Sequence, residues 1–302
     1  MEPEPGIQRP KEVALVINLR SRTGTAASQQ AAAELERCGL LVRRNHLVTN
    51  GHALIESVRQ VIDSGLKTIV VGGGDGTLSS AADLLANRSD LTLGILPVGT
   101  GNEMAHTLGI PLDLPGACDV IAHGRVETVD LAEASGNYFI HTALVGYPAQ
   151  VNHTIPNWLK LRFGKAAYVY SFCRAMFGAR PFRVAVKVGN ESWEGQTILV
   201  TVGNGRFHSL GSVLLPPDRA VESGLMVYTP RSTNWLTLAR LAFGLWITRK
   251  PQPSLLLFQR ADSVSIVADP PQGVDLDGEF GRLTPVVVRL AKNALRVLVP
   301  NM

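Results

Sequence analysis

The sequence predicts an α/β domain followed by a β-rich domain. Three observations carry this. From residue 12 to about 129, short β-branched runs alternate with segments of helical apolar spacing. From about Asp130 the pattern becomes strand-rich, with runs bounded by Gly, Pro, Asp and Asn. At 302 residues, 45% hydrophobic and 18% charged, the chain is long enough for two domains with cores of their own.

The elements follow in order. Residues 1 to 11, "MEPEPGIQRPK", are Pro-rich and acidic and read as a disordered tail. "VALVIN" is a buried strand, "ASQQAAAELERCG" a helix, "LVRRNHLV" a strand and "GHALIESVRQVIDSG" a helix. "TIVV" is the next strand, and Leu78, Ala81, Ala82 and Leu85 give the following segment one apolar helical face. "LTLGILP" ends this part as a strand, with a further helix starting over Glu103 to Leu108. The second part reads as strands over "YFIHTALVG", "FRVAVKV", "WEGQTILVTVGNG", "GLMVYTP", "SVSIVAD" and "TPVVVRLA". Helical interruptions are expected at "WLKLRFGKAAYVYSFCRAMFG" and "NWLTLARLAFGLWITRK". No internal repeat or low-complexity tract is visible.

Bulk properties exclude several classes. A net charge of +4 suits an anionic small molecule or membrane surface, and without a basic block or an RNA-binding aromatic motif it does not imply nucleic acid. Cys38, Cys118 and Cys173 are odd in number and scattered, which fits neither a disulfide framework nor zinc, so a reducing cytoplasm is expected. The N-terminus is not a signal peptide, and no apolar run is long enough to span a bilayer. The seven histidines show no metal spacing, and no G-x-S-x-G elbow is present.

The chemistry concentrates at two glycine turns. "TIVVGGGDGTLSS" ends a strand on glycines and opens a helix, a geometry that brings bare backbone and helix N–H groups to an anion. It is not a Walker loop, because no Lys-Ser/Thr pair follows the last glycine. It is a poor dinucleotide fingerprint too, because Thr77 stands where Gly or Ala belongs and no strand-terminal acid follows about twenty residues on. A turn whose glycines serve geometry alone is the bland alternative, and the aspartate inside it argues against that. The second turn, "PVGTGNEMA", follows the next strand. In a parallel sheet, Asn18, Thr49, the first turn and Pro97 to Asn102 all fall at the carboxyl ends of strands, where ligands collect.

Together these motifs resemble the diacylglycerol kinase catalytic domain family, which includes sphingosine kinases and bacterial YegS-like lipid kinases. The resemblance runs through Thr49 in "LVTNGHA", "GGDGT", "PVGTGNEMA", "VDLAEASGNYFIHTALVGYPAQV", "GKAAYVYSF", "VGNGRFHSLGSVLLPPDRA" and "DGE" at Asp277 to Glu279. It implies a Rossmann-like α/β nucleotide-binding domain over 12–129 and a C-terminal β-sandwich over 130–289 carrying the lipid site. Residues 290–302 would return to the first domain, with a cleft between the two. Gly73, Gly74, Gly76 and Thr77 would cradle the ATP phosphates, and Thr49, Thr100 and Asn102 would touch nucleotide. Asp75 would hold the Mg²⁺-nucleotide complex in register, and Glu279 would take the proton of the lipid hydroxyl. Phosphoryl transfer is mostly positioning and charge neutralisation, so such a set suffices.

Other readings stand beside these. "DLDGEF" is also a strong hairpin signal, and Asp275, Asp277 and Glu279 would share one face of an extended chain as a solvated acidic edge. "NWLKLRFGK" presents Trp158, Leu161 and Phe163 among Lys160, Arg162 and Lys165, which suits either an anionic bilayer surface or an ordinary helix cover. Two departures from the family pattern matter. "NLRSR" keeps Asn18 and Ser21 but loses a Pro and a Gly, leaving Arg20 or Arg22 as substitute phosphate contacts. Ser223 stands where bacterial relatives carry an Asp on a structural magnesium, so the site at Ser223 and Leu225 is expected to be weak or absent. The resulting expectation is an ATP- and Mg²⁺-dependent lipid kinase, cytoplasmic and reversibly associated with membrane. An NAD kinase-like enzyme and a non-catalytic lipid-binding module of the same fold are the rivals.

Overall fold

A computed structural model of the chain describes residues 11–146, 180–207, 223–234, 236–238, 240 and 256–301. The expected tail before Lys11, the helical stretch 158–178, Cys173 and most of the stretch 234–250 lie outside the described residues. The chain divides into two compact units, Met1–Leu131 with Ala291–Met302, and Ala132–Leu290.

The first unit runs β1 (Glu12–Asn18), α1 (Gly24–Arg37), β2 (Leu41–Val48), α2 (Gly51–Asp63), β3 (Thr68–Gly73), α3 (Asp75–Leu85), β4 (Thr92–Pro97), α4 (Glu103–Thr107) and α5 (Leu114–His123). Its strands lie in the order β2-β1-β3-β4, all parallel. Burial explains their composition. Val13 to Ile17 and Ile69 to Val71 are fully buried, as strands covered by helices on both faces must be. Each such Val, Leu or Ile side chain contributes about 1.5–3 kcal/mol on burial. Two of the helices start on a side-chain cap: Asn50 accepts from Ala53 N at 2.9 Å for α2, and Asp113 from Gly116 N at 2.8 Å for α5. The chain's last strand, β16 (Val286–Val299), adds its C-terminal half beside β4, pairing Val297 with Leu93 in parallel.

The second unit holds the end of β5 (Arg125–Ala134), β6 (Asn137–Phe139), β7 (Thr142–Gly146), β8 (Phe182–Val188), β9 (Glu191–Thr197), β10 (Leu199–Asn204), β11 (Leu225–Pro230), β12 (Leu256–Ala261), β13 (Ser263–Asp269), β14 (Gly273–Leu276) and β15 (Glu279–Leu283). One antiparallel sheet runs β16-β13-β8-β9 and the other β12-β11-β10-β7-β14-β15. Their inner faces meet in one core, where Val184, Val186 and Ile266 of one sheet join Val200, Val227 and Val274 of the other. "WEGQTILVTVGNG", read as a single strand, is two. The chain changes sheet at Ile198, and burial switches there from alternating in β9 to continuous in β10.

Candidate active site

Strand register brings four loops to one edge of the first unit's parallel sheet. Asn18 pairs with Val48, Ile17 with Gly72, and Gly73 with Pro97, so the segments after β1, β2, β3 and β4 leave the sheet at its carboxyl end. The order β2-β1-β3 also reverses between β1 and β3, the switch point at which open α/β sheets bind ligands.

The two glycine turns touch through bare backbone. A Cβ on Gly99 would stand 2.3 Å from Gly74 Cα, and one on Gly73 would stand 2.3 Å from Thr77 Cβ, so neither position tolerates a side chain. Gly76, in the first turn of α3, meets nothing within 4 Å and is exposed, which leaves the approach to the helix N-terminus open. Asn18 Nδ2 donates to Thr77 Oγ1 at 3.0 Å, and Thr23 N donates to Val98 O at 3.1 Å. The β1–α1 loop is thereby tied to both turns, with Arg20 and Arg22 exposed on it.

The residues singled out from the sequence divide by environment. Gly74 and Asp75 are half-buried, and Thr49, Gly76 and Thr100 are exposed at this edge. Gly73 and Thr77 are buried, and Thr77 turns its hydroxyl to Asn18. Asn102 is only 7% exposed and serves its own turn. It adopts a left-handed conformation, φ 50°, while its Oδ1 accepts from Gly99 N and its Nδ2 donates to Pro97 O and Gly99 O. Asp75 links the turns: its Oδ1 accepts from Glu103 N at 2.7 Å and from Met104 N at 3.4 Å, while its Oδ2 faces Gly101, where a Cβ would stand 2.6 Å away. A negative charge at the start of α4 is the local reason for that bond. Sequence reading missed Gly99 as a packing requirement and Gly24, whose Cβ would strike Asn18 O at 2.1 Å.

In the second unit, "DLDGEF" forms a hairpin. Leu276 pairs with Glu279 across a two-residue turn in which Asp277 (φ 49°) and Gly278 (φ 93°) are both left-handed, the type I′ signature. Glu279 is exposed at the first position of β15. The three acids do not share a face: Asp275 is 1% exposed with Oδ1 accepting from Gly278 N, and Asp277 directs its carboxylate at the backbone of Ile140 to Thr142.

At the second departure, Ser223 is exposed, and its carbonyl accepts from the Arg260 guanidinium. Gly224 (φ 133°) makes room, since a Cβ there would meet Arg260 Nε at 2.7 Å. Leu225 is a buried strand residue paired with Asn204 and Ala261. A fixed cation on the carbonyl and a hydroxyl in place of a carboxylate do not suit a divalent ion. Among the described residues, no group of three His, Cys, Asp or Glu is arranged to hold a metal.

Residues 12–134 match the diacylglycerol kinase catalytic domain, and residues 142–299 match the YegS C-terminal NAD kinase beta sandwich-like domain. A Pseudomonas aeruginosa protein named "Probable lipid kinase YegS-like" is 31% identical over 80% of this chain and 80% of its own. One from Enterobacter under the same name is 27% identical over 89% of each chain. The crystal structure of a diacylglycerol kinase from Bacillus anthracis, 23% identical, superposes with a TM-score of 0.72 over 96% of this chain and 97% of that one, a likeness of fold. The relatives that match over most of the chain are named lipid or diacylglycerol kinases, and this chain is a kinase of that class. The chain belongs to the diacylglycerol kinase catalytic domain family, in its YegS-like branch.

Proposed function

We propose that this enzyme transfers the γ-phosphate of ATP to a hydroxyl of a diacylglycerol-like lipid alcohol. The observation that carries the nucleotide half is the backbone contact of Gly74 with Gly99 beside the open N-terminus of α3. The glycines at that contact keep side chains off this edge, and Gly76 leaves the way to the N-terminus of α3 clear for phosphate oxygens. Magnesium bound with the triphosphate would neutralise charge as the phosphoryl group moves. Asp75 is the carboxylate of this edge suited to hold that complex in register, and its bond to Glu103 N fixes where it points.

The lipid half rests on Glu279. A general base must reach the acceptor hydroxyl, and an exposed carboxylate on a fixed hairpin tip meets that need. The Glu279→Gln enzyme is expected to bind ATP as the wild type does and to phosphorylate lipid about two to four orders of magnitude more slowly. Wild-type turnover by this variant would remove the base from Glu279.

An NAD kinase-like activity is the second reading, favoured by the sandwich's likeness to NAD kinases. Incubation with labelled ATP and either NAD or a lipid extract separates them, and phosphorylation of NAD alone would overturn the lipid assignment. Among the described residues no helix is long and apolar enough to cross a membrane. A lipid substrate would be met reversibly at a bilayer surface, which the net charge of +4 favours where that surface is anionic.

A further inference from the structure

We propose that Asp277 is a positioning residue that fixes Glu279 for proton abstraction; this rests on the reading of Glu279 as the base. Glu279 opens β15, the last strand of its sheet, and that strand is exposed along most of its length, with Phe280 42% and Leu283 64% exposed. A carboxylate on such a strand wanders with its hairpin unless the turn is anchored, and displacement by about 1 Å costs on the order of a hundredfold in rate.

The anchor is the Asp277 carboxylate. Oδ2 accepts from Ile140 N at 2.7 Å and from His141 N at 3.1 Å, and Oδ1 accepts from His141 N at 3.0 Å and Thr142 N at 2.7 Å. The strap runs both ways, because Asp277 N donates to Thr142 O at 2.9 Å. Three successive amide donors on one carboxylate are far more than an Asp-Gly turn requires, since that dipeptide adopts type I′ geometry by itself.

The receiving segment is itself held. Asn204 Nδ2 donates to Ile140 O at 2.9 Å, Asn204 N donates to His141 O at 2.9 Å, and the buried His141 meets Phe207 O through Nδ1 at 2.8 Å. On the other side of the turn, buried Asp275 takes Gly278 N at 2.7 Å. The hairpin tip is thus clamped from both flanks, two residues from Glu279.

Asp277→Asn tests this on the full-length enzyme with ATP and the lipid alcohol that wild type phosphorylates fastest. Asn-Gly keeps the turn, but the amide has one acceptor oxygen and sets N–H groups against N–H donors. The kcat is expected to fall about 10- to 100-fold with the KM for ATP unchanged. Added to Glu279→Gln, the substitution is expected to cause no further loss, because there is then no base to position. Asn204→Ser, which loosens the receiving segment from behind, should lower kcat about 3- to 10-fold with the same KM. Wild-type kcat in Asp277→Asn and Asn204→Ser, beside an impaired Glu279→Gln, overturns the positioning role alone. An undiminished loss from Asp277→Asn in the Glu279→Gln background overturns it too. Wild-type turnover in Glu279→Gln overturns the base reading, and the positioning proposal with it.

Discussion

At the scale of single residues, the glycine turns separate geometry from ligand binding. Gly76 sits in the first turn of α3 with no neighbour within 4 Å of a Cβ, so Gly76→Ala should keep or raise the melting temperature, by up to about 1 kcal/mol of stability. If the turn cradles phosphate, the same methyl should weaken ATP binding at least about tenfold. Calorimetry and ATP titration on that variant read both terms, and unchanged affinity would leave the turn as architecture only. Gly99→Ala differs, because its Cβ meets Gly74 backbone and must push the two turns apart, lowering stability and affinity together. Asp75→Asn retains an oxygen for Glu103 N but loses the charge, so a folded protein with transfer reduced at least about a hundredfold is expected. Unchanged turnover at saturating ATP and Mg²⁺ would confine Asp75 to holding α4.

At the scale of elements, burial of α5 against α1 governs a thiol. Burial pushes Cys118 up from the ordinary 9.0 to about 12, and half-buried Cys38, four residues past Glu34, is raised by the same cause. A folded-state value above the unfolded one means the folded protein keeps its proton where the unfolded chain releases it. The stability this contributes is complete below pH 9.0 and is lost progressively as pH rises toward about 12. Urea melts at pH 8 and pH 10.5 should show a lower midpoint at the higher pH, and Cys118→Ala should reduce that difference. The β11–β12 pair carries a second test. With Arg260 on the Ser223 carbonyl, the melting temperature should not respond to Mg²⁺ or to a chelator; a rise with Mg²⁺ in nucleotide-free protein would show that a divalent ion competes there.

At the scale of the whole molecule, the proposed lipid substrate requires a meeting with a bilayer surface, and among the described residues no helix is long and apolar enough to cross one. With a net charge of +4 the protein should bind anionic vesicles more strongly than neutral ones, and added salt should weaken that binding. Equal, salt-insensitive partitioning to both would remove the bilayer-surface reading of Lys160, Arg162 and Lys165, which lie outside the described residues.

The sequence by itself determined the elements whose cause is local. Buried strands read as apolar runs, α3 showed its apolar face, and "GGDGT" and "PVGTGN" announced turns because glycine after a strand has few other uses. The Asp-Gly hairpin was legible for the same reason. Pairing and burial across distance were decided only by the tertiary structure. Nothing near Asp277 in sequence reveals that its acceptors serve Ile140 and Thr142, more than 130 residues earlier, or that Asp275 lies inside while Glu279 lies outside. The division of one apolar run at Ile198 between two sheets is of the same kind, as is the Arg260 guanidinium on Ser223. A propensity acts over a few residues and leaves its mark there, whereas a hydrogen bond between distant segments exists only once the core has set their register.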